Sequence, residues 1–111
     1  EEIEADEQTY QAFVLYHNHI PIGTVRYKHL DKHTVKIGRF AIIKSERGKG
    51  YGRRLMHFIE QLIYVKIRPL TLILGAQIQA SPFYESLGYR PVGDHYLEAN
   101  IEHVKMKKHL D

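Results

Sequence analysis

Residues 42–55 read IIKSERGKGYGRRL. The apolar pair Ile42 and Ile43 runs into a stretch holding Gly48, Gly50 and Gly52, and then into apolar residues at helical spacing: Tyr51, Leu55, Phe58, Ile59, Leu62 and Ile63. That spacing predicts an amphipathic helix over residues 50–66, which Pro69 keeps from extending. The local pattern is therefore strand, glycine-rich turn, helix. Glycine lets such a turn double back and lets a ligand approach the main chain. The helix start offers unpaired N–H groups at the positive end of the helix dipole. Together these features form a phosphate cradle, and Arg47, Lys49, Arg53 and Arg54 bring cationic charge to the same point.

Two common phosphate motifs do not match. A P-loop needs the string GxxxxGK(S/T), which is absent. A dinucleotide fingerprint, GxGxxG, fails at both glycine pairs, because Arg53 and Leu55 stand where the third glycine belongs.

Upstream of the turn the chain reads as an antiparallel meander. Residues 10–17 (YQAFVLYH) are aromatic and aliphatic, as in a strand, and Asn18, His19 and Pro21 mark a turn. Residues 22–30 alternate, Asp31-Lys32 turns again, and residues 33–43 form a third strand in which Gly38 signals a bulge or bend. Downstream, residues 70–74 (LTLIL) are continuously apolar, as expected of a central strand buried on both faces. Ser81-Pro82 opens a short helix, with Ser81 as N-cap and Pro82 at the first helical position, and Gly88 ends it. Residues 89–98 and 101–108 read as two final strands. The order β-β-β-α-β-α-β-β predicts an α+β fold with helices packed on a mixed sheet.

Composition bounds the function. The 111 residues suit one domain, 43% hydrophobic and 26% charged, which is ordinary for a globular chain. With no cysteine, disulfides, thiolate catalysis and cysteine-zinc sites are excluded. No apolar run is long enough to span a bilayer and no signal peptide is visible, so a cytoplasmic protein without membrane contact is expected. Five acids fall within residues 1–7, an acidic lead-in over residues 1–8, and the remaining 104 residues carry 16 bases against 8 acids. A basic body of that kind attracts anions, and here the charge is focused at the glycine turn. His17 and His19 sit close in sequence, but no metal-ligand pattern occurs, so no metal is expected. No helix-turn-helix or RNP motif is present, so nucleic acid is not an expected partner.

Three motifs carry a family resemblance. Arg47-x-x-Gly50-x-Gly52 matches the Gln/Arg-x-x-Gly-x-Gly/Ala signature of the GNAT acetyltransferase superfamily. Phe83-Tyr84-Glu85-Ser86-Leu87-Gly88-Tyr89 resembles the family's FYxxLGF/Y segment, and His103-Val104-Lys105-Met106 resembles its last strand. The whole chain, residues 1–111, is similar to one such domain, and to small bacterial members of the ElaA, YjcF and glyphosate N-acetyltransferase types. The resemblance implies the GNAT fold, a mixed and mostly antiparallel sheet flanked by helices, here lacking the family's first strand and helices one and two.

The resemblance further implies acetyl-CoA as donor and a small-molecule amine as acceptor. It puts the pyrophosphate on the backbone of Arg47, Gly48, Lys49, Gly50, Tyr51 and Gly52, with Arg53 beside it. It puts the pantetheine along Ala41, Ile42 and Ile43 like an added strand, in a gap where the family's sheet splays between its fourth and fifth strands, with the Ile42 amide as donor to the thioester oxygen. Tyr84 takes the general-acid position. His103 takes the base position of the glyphosate-type branch, with Glu98 and Glu102 as further base candidates. Arg39 points at an anionic group on the acceptor, and Gln77 stands where that branch carries a second arginine, which argues against a dianionic acceptor such as glyphosate. The competing reading is a non-catalytic CoA-binding module or fragment with a regulatory role. Exposed edge strands also leave room for a homodimer.

Overall fold

The structure, a computed structural model, describes residues 10–111; the acidic lead-in lies outside the described residues. Six strands form one sheet in the order β1-β2-β3-β4-β6-β5. β1 (Gln11–His17) and β2 (Ile20–Asp31) form a hairpin, turned at Asn18 and His19 with φ of 51° and 67°. Both turn residues need the left-handed region, which matches the right-handed twist of the flanking strands. β3 (Thr34–Ile42) pairs antiparallel with β2 and then leads through a 3-10 turn at Lys44–Glu46 into helix α1 (Tyr51–Tyr64). β4 (Leu70–Gln77) returns parallel to β3. A second 3-10 turn (Ile78–Ala80) feeds helix α2 (Ser81–Ser86), and β5 (Arg90–Glu98) and β6 (Ile101–Leu110) close the sheet as an antiparallel pair.

One core holds the layers together. Leu55, Met56, Ile59 and Ile63 of α1 and Tyr84 of α2 join a single buried cluster with Val25, Val35, Ile37, Leu70, Leu72 and Met106 of the sheet. Each fully buried aliphatic side chain of this kind contributes about 1.5–3 kcal/mol. Within the described residues the opposite sheet face is only partly covered. Leu70, Leu72 and Leu74 are buried, but Thr71 and Ile73 between them are half-exposed. The expectation of a strand buried on both faces is thereby corrected: β4 alternates, because both described helices contribute to the core on one side.

Two further expectations change. The buried side of α1 includes Met56 and Glu60, while Phe58 is 52% exposed and meets Phe13 edge-on at 6.0 Å. Glu60 can face inward because Tyr89 Oη donates to its carboxylate at 2.7 Å and Lys108 Nζ at 2.8 Å. Ser81 is not an N-cap: its hydroxyl donates back to the Ile78 carbonyl at 2.9 Å, and Ala80 caps the helix. The 3-10 turn runs straight into α2 and uses the serine for itself. Among the described residues, no helix is long and apolar enough to cross a membrane.

Candidate active site

The site begins where the sheet comes apart. β3 and β4 are in register only at Thr34↔Thr71, Val35↔Leu72 and Lys36↔Ile73. Beyond that point β4 stays paired with β6 as far as Gln77↔His103, so the gap opens toward β3. A bulge bends β3 away. Arg26 pairs with Gly38 and Thr24 with Ala41, so Arg39 and Phe40 together oppose Val25, and Arg39 takes φ of 49°. The sequence placed this irregularity at Gly38, one residue early. The result is a cleft of about 900 Å³ between Ile37–Ile42 on one side and Leu74–Gln77 on the other.

Backbone polarity along this wall follows from the ladder. Ile43 N–H donates to the Ile22 carbonyl at 2.8 Å. Peptide groups alternate sides along a strand, so Ala41 also turns toward β2, in register with Thr24, and Ile42 turns its N–H and carbonyl to the β4 side. The Ile42 carbonyl accepts from Arg47 Nε at 2.8 Å. Of the three residues expected to hold an extended ligand, only Ile42 therefore offers a peptide group, its N–H, to the cleft. Ala41 turns its groups to β2, and Ile43 gives its N–H to Ile22 while its carbonyl accepts from Glu46 N–H at 3.0 Å.

The glycine turn closes one end of the cleft. Gly48 and Gly50 have φ of 78° and 88°, and Gly50 is the N-cap of α1 without any side-chain cap. The first intrahelical bond into the turn is Arg54 N–H to the Gly50 carbonyl at 3.1 Å. The amides of residues 51–53 thus have no partner within the helix. Gly52 is fixed by packing: a Cβ there would sit 3.2 Å from Phe83 and 3.3 Å from Phe40. Those two rings stack at 5.8 Å and brace the turn against α2. Arg47, Gly48, Gly50, Tyr51, Gly52 and Arg53 all line the cleft. Lys49 does not; its ammonium pairs with Glu46 at 3.2 Å. Arg53 also donates to Ser86 Oγ at 3.0 Å, tying α1 to α2.

Deeper in, Tyr84 is buried among Phe40, Phe83 and Tyr89, with ring centroids 5.1–6.1 Å away and planes steeply crossed. Burial pushes its phenol up to about 12, so the hydroxyl stays protonated at neutral pH. Tyr84 lines the cleft. His103 lines it from β6, in register with Gln77 of β4. Its Nδ1 lies 2.7 Å from the Ile101 carbonyl. A carbonyl only accepts, so Nδ1 carries the hydrogen, and in the neutral ring the lone pair falls to Nε2. Arg39, Gln77 and Glu98 line the same cleft. Glu102 is exposed and lies 3.8 Å from His95 instead. The sequence reading missed Tyr96, which stacks on His103 at 5.7 Å, and the Phe40–Phe83 brace. Among the described residues no cluster of three His, Asp or Glu side chains could hold a metal ion.

The arrangement combines an anion cradle, a channel with one free strand edge, a protonated phenol and an imidazole whose Nδ1 is tied to the main chain. Comparison with known proteins points the same way. Residues 1–110 match the family described as the acetyltransferase (GNAT) domain. The uncharacterized N-acetyltransferase YjcF of Bacillus subtilis is 34% identical over 97% of this chain and 76% of its own length. The crystal structure of Escherichia coli ElaA superposes with a TM-score of 0.80 at 26% identity, over 89% of this chain and 68% of ElaA. A GNAT acetyltransferase from Elizabethkingia anophelis, solved with acetyl-CoA bound, shares the fold at a TM-score of 0.79 and 17% identity, over 98% of this chain and 82% of its own. The chain belongs to the GNAT acetyltransferase family.

Proposed function

We propose that this chain transfers the acetyl group of acetyl-CoA to the amine of a small molecule. The observation that carries the reading is the splay of β3 from β4 after Lys36↔Ile73, with the uncapped start of α1 at one end and Tyr84 and His103 on its walls. The donor set fits the cosubstrate. Uncapped helical amides and the guanidinium groups of Arg47 and Arg53 suit a pyrophosphate. The inward N–H of Ile42 suits an amide chain lying along the strand edge. When bound, acetyl-CoA supplies an acyl thioester whose carbonyl carbon an amine can attack, with the CoA thiolate departing.

The chain's own groups then manage charge and protons. The Ile42 N–H is the fixed donor available to a carbonyl oxygen gaining negative charge. Alkyl amines have pKa values near ~10 and are mostly protonated at neutral pH, so a base assists attack. His103 Nε2 serves as that base. The Tyr84 hydroxyl gives its proton to the departing sulfur, and its burial keeps that proton in place until needed. On the acceptor side, Arg39 suits an anionic group on the amine substrate, while Gln77 and Glu98 supply hydrogen-bonding partners.

The test is a panel of small amines incubated with acetyl-CoA and followed by mass spectrometry. An acetylated product formed by the wild type, and formed about a hundredfold more slowly by Tyr84→Phe, supports the reading. Acetyl-CoA binding without transfer to any amine would favour a non-catalytic CoA-binding module.

A further inference from the structure

On the outer face of the sheet, the Tyr96 ring of β5 lies against the His103 imidazole of β6, with centroids 5.7 Å apart and planes 29° from parallel. The Tyr96 hydroxyl reaches on to Gly75 of β4, where any Cβ would overlap it. Tyr96 keeps 38% of its surface exposed, whereas His103 keeps only 9%. The tyrosine thus roofs the imidazole, and His103 faces the cleft on its remaining side.

The pairing depends on an irregularity in β5. Val92 lies opposite Lys105, a register that would continue to Asp94 opposite His103. Instead the register shifts by two residues and Tyr96 lies there. Gly93, at φ of 81°, supplies the backbone freedom for the shift. The substitution matters chemically. A carboxylate there would favour imidazolium and compete with the Ile101 carbonyl for the ring N–H. An aromatic face fixes the ring plane, and with the plane held the Ile101 carbonyl keeps the proton on Nδ1. Gln77 on β4 lies opposite His103, the Ile101 carbonyl meets its Nδ1, and Glu98 and Arg39 line the same cleft.

We infer that Tyr96 is a positioning residue for His103: seated by the β5 bulge and admitted by Gly75, it holds the imidazole in the plane and tautomer that leave Nε2 to the cleft. The inference rests on reading His103 as the base. The experiment reads His103 directly, by two-bond 1H–15N correlation NMR of its ring, with no substrate present. Wild type and Tyr96→Phe, which keeps the stack, should both show the Nδ1–H tautomer alone. Tyr96→Leu should show both tautomers in exchange. In the acetylation assay it should lose on the order of tenfold in kcat with KM for acetyl-CoA unchanged, because the ring is no longer held in line.

A wild type in the Nε2–H tautomer, or a Tyr96→Leu protein whose His103 keeps the wild-type tautomer and titration midpoint, overturns the inference. If Tyr96→Leu does not fold, Gly75→Ala decides the matter by the same NMR readout, since it displaces the tyrosine from the opposite end. Absence of acetyl transfer by the wild type, together with the expected tautomer change, would count against the proposed function and leave the positioning role standing.

Discussion

The two sides of β6 hold buried polar groups that differ in one respect. On the helix side, Glu60 is enclosed by Tyr89 and Lys108, and both carboxylate oxygens are engaged. On the outer side, His103 has one ring nitrogen tied to Ile101, and the residue lines an open cleft. The tyrosines repeat the contrast. Tyr89 and Tyr84 pack against each other at 6.1 Å, yet Tyr89 spends its hydroxyl on Glu60 while Tyr84 lines the cleft. A buried polar group with every partner inside the protein stabilises the fold. One that keeps a donor or acceptor in reserve at a cleft can do chemistry.

Breaking the enclosed side should cost the most stability. Glu60→Ala leaves the Lys108 ammonium beside an apolar core, and a loss of about 3 kcal/mol is expected, read as the shift in urea unfolding. Some of that is recoverable, since the Lys108 side chain is 19% exposed and can swing toward water. Acetyl-CoA binding by the folded fraction should be unaffected.

The tyrosine pair sharpens the comparison in opposite directions. Tyr84→Phe should reduce kcat on the order of a hundredfold and barely change stability. Tyr89→Phe should leave kcat near wild type and cost about 2 kcal/mol, the worth of a hydrogen bond to a buried carboxylate. Equal effects of the two substitutions on both readouts would erase the distinction.

A smaller effect appears at alkaline pH. Burial raises the Tyr84 phenol from 10.0 to about 12, and burial together with the Glu60 carboxylate raises Tyr89 further. Above the unfolded value the denatured chain sheds protons that the folded chain retains. Stability is therefore complete below about pH 10 and falls above it, by about 1.4 kcal/mol per pH unit for each such tyrosine. The alkaline slope of denaturation should be shallower in either phenylalanine variant than in wild type.

Much of this was legible in the sequence, for physical reasons that differ by element. The turn at Gly48 and Gly50 was readable because positive φ demands glycine, and the helix after it because its apolar spacing is helical. The inward orientation of Glu60 was not readable, because a charged residue faces a core only when distant partners, here Tyr89 and Lys108, enclose it. The splay of β3 from β4 was legible only through the family resemblance, not from the residues of the two strands. It depends on where two strands stop pairing, and nothing in TVKIGRFAI marks Lys36 as the last paired residue. Tyr96 escaped for a related cause: a two-residue shift in β5 decides whether it or Asp94 faces His103, and only Gly93 hints that a shift occurs. Local rules read local structure. Register, set by pairing between distant segments, decided which candidates met.

The most direct test of the central claim is calorimetric titration of acetyl-CoA into the wild type and into Gly50→Glu, with circular dichroism confirming that both are folded. Glutamate at this position sets a negative charge at the uncapped start of α1, and Gly50→Ala controls for the strain of a side chain at φ of 88°. The account predicts saturable one-to-one binding by the wild type, weaker binding by Gly50→Ala, and none by Gly50→Glu. A folded wild type that binds no acetyl-CoA, or a Gly50→Glu protein that binds as tightly as wild type, would contradict it.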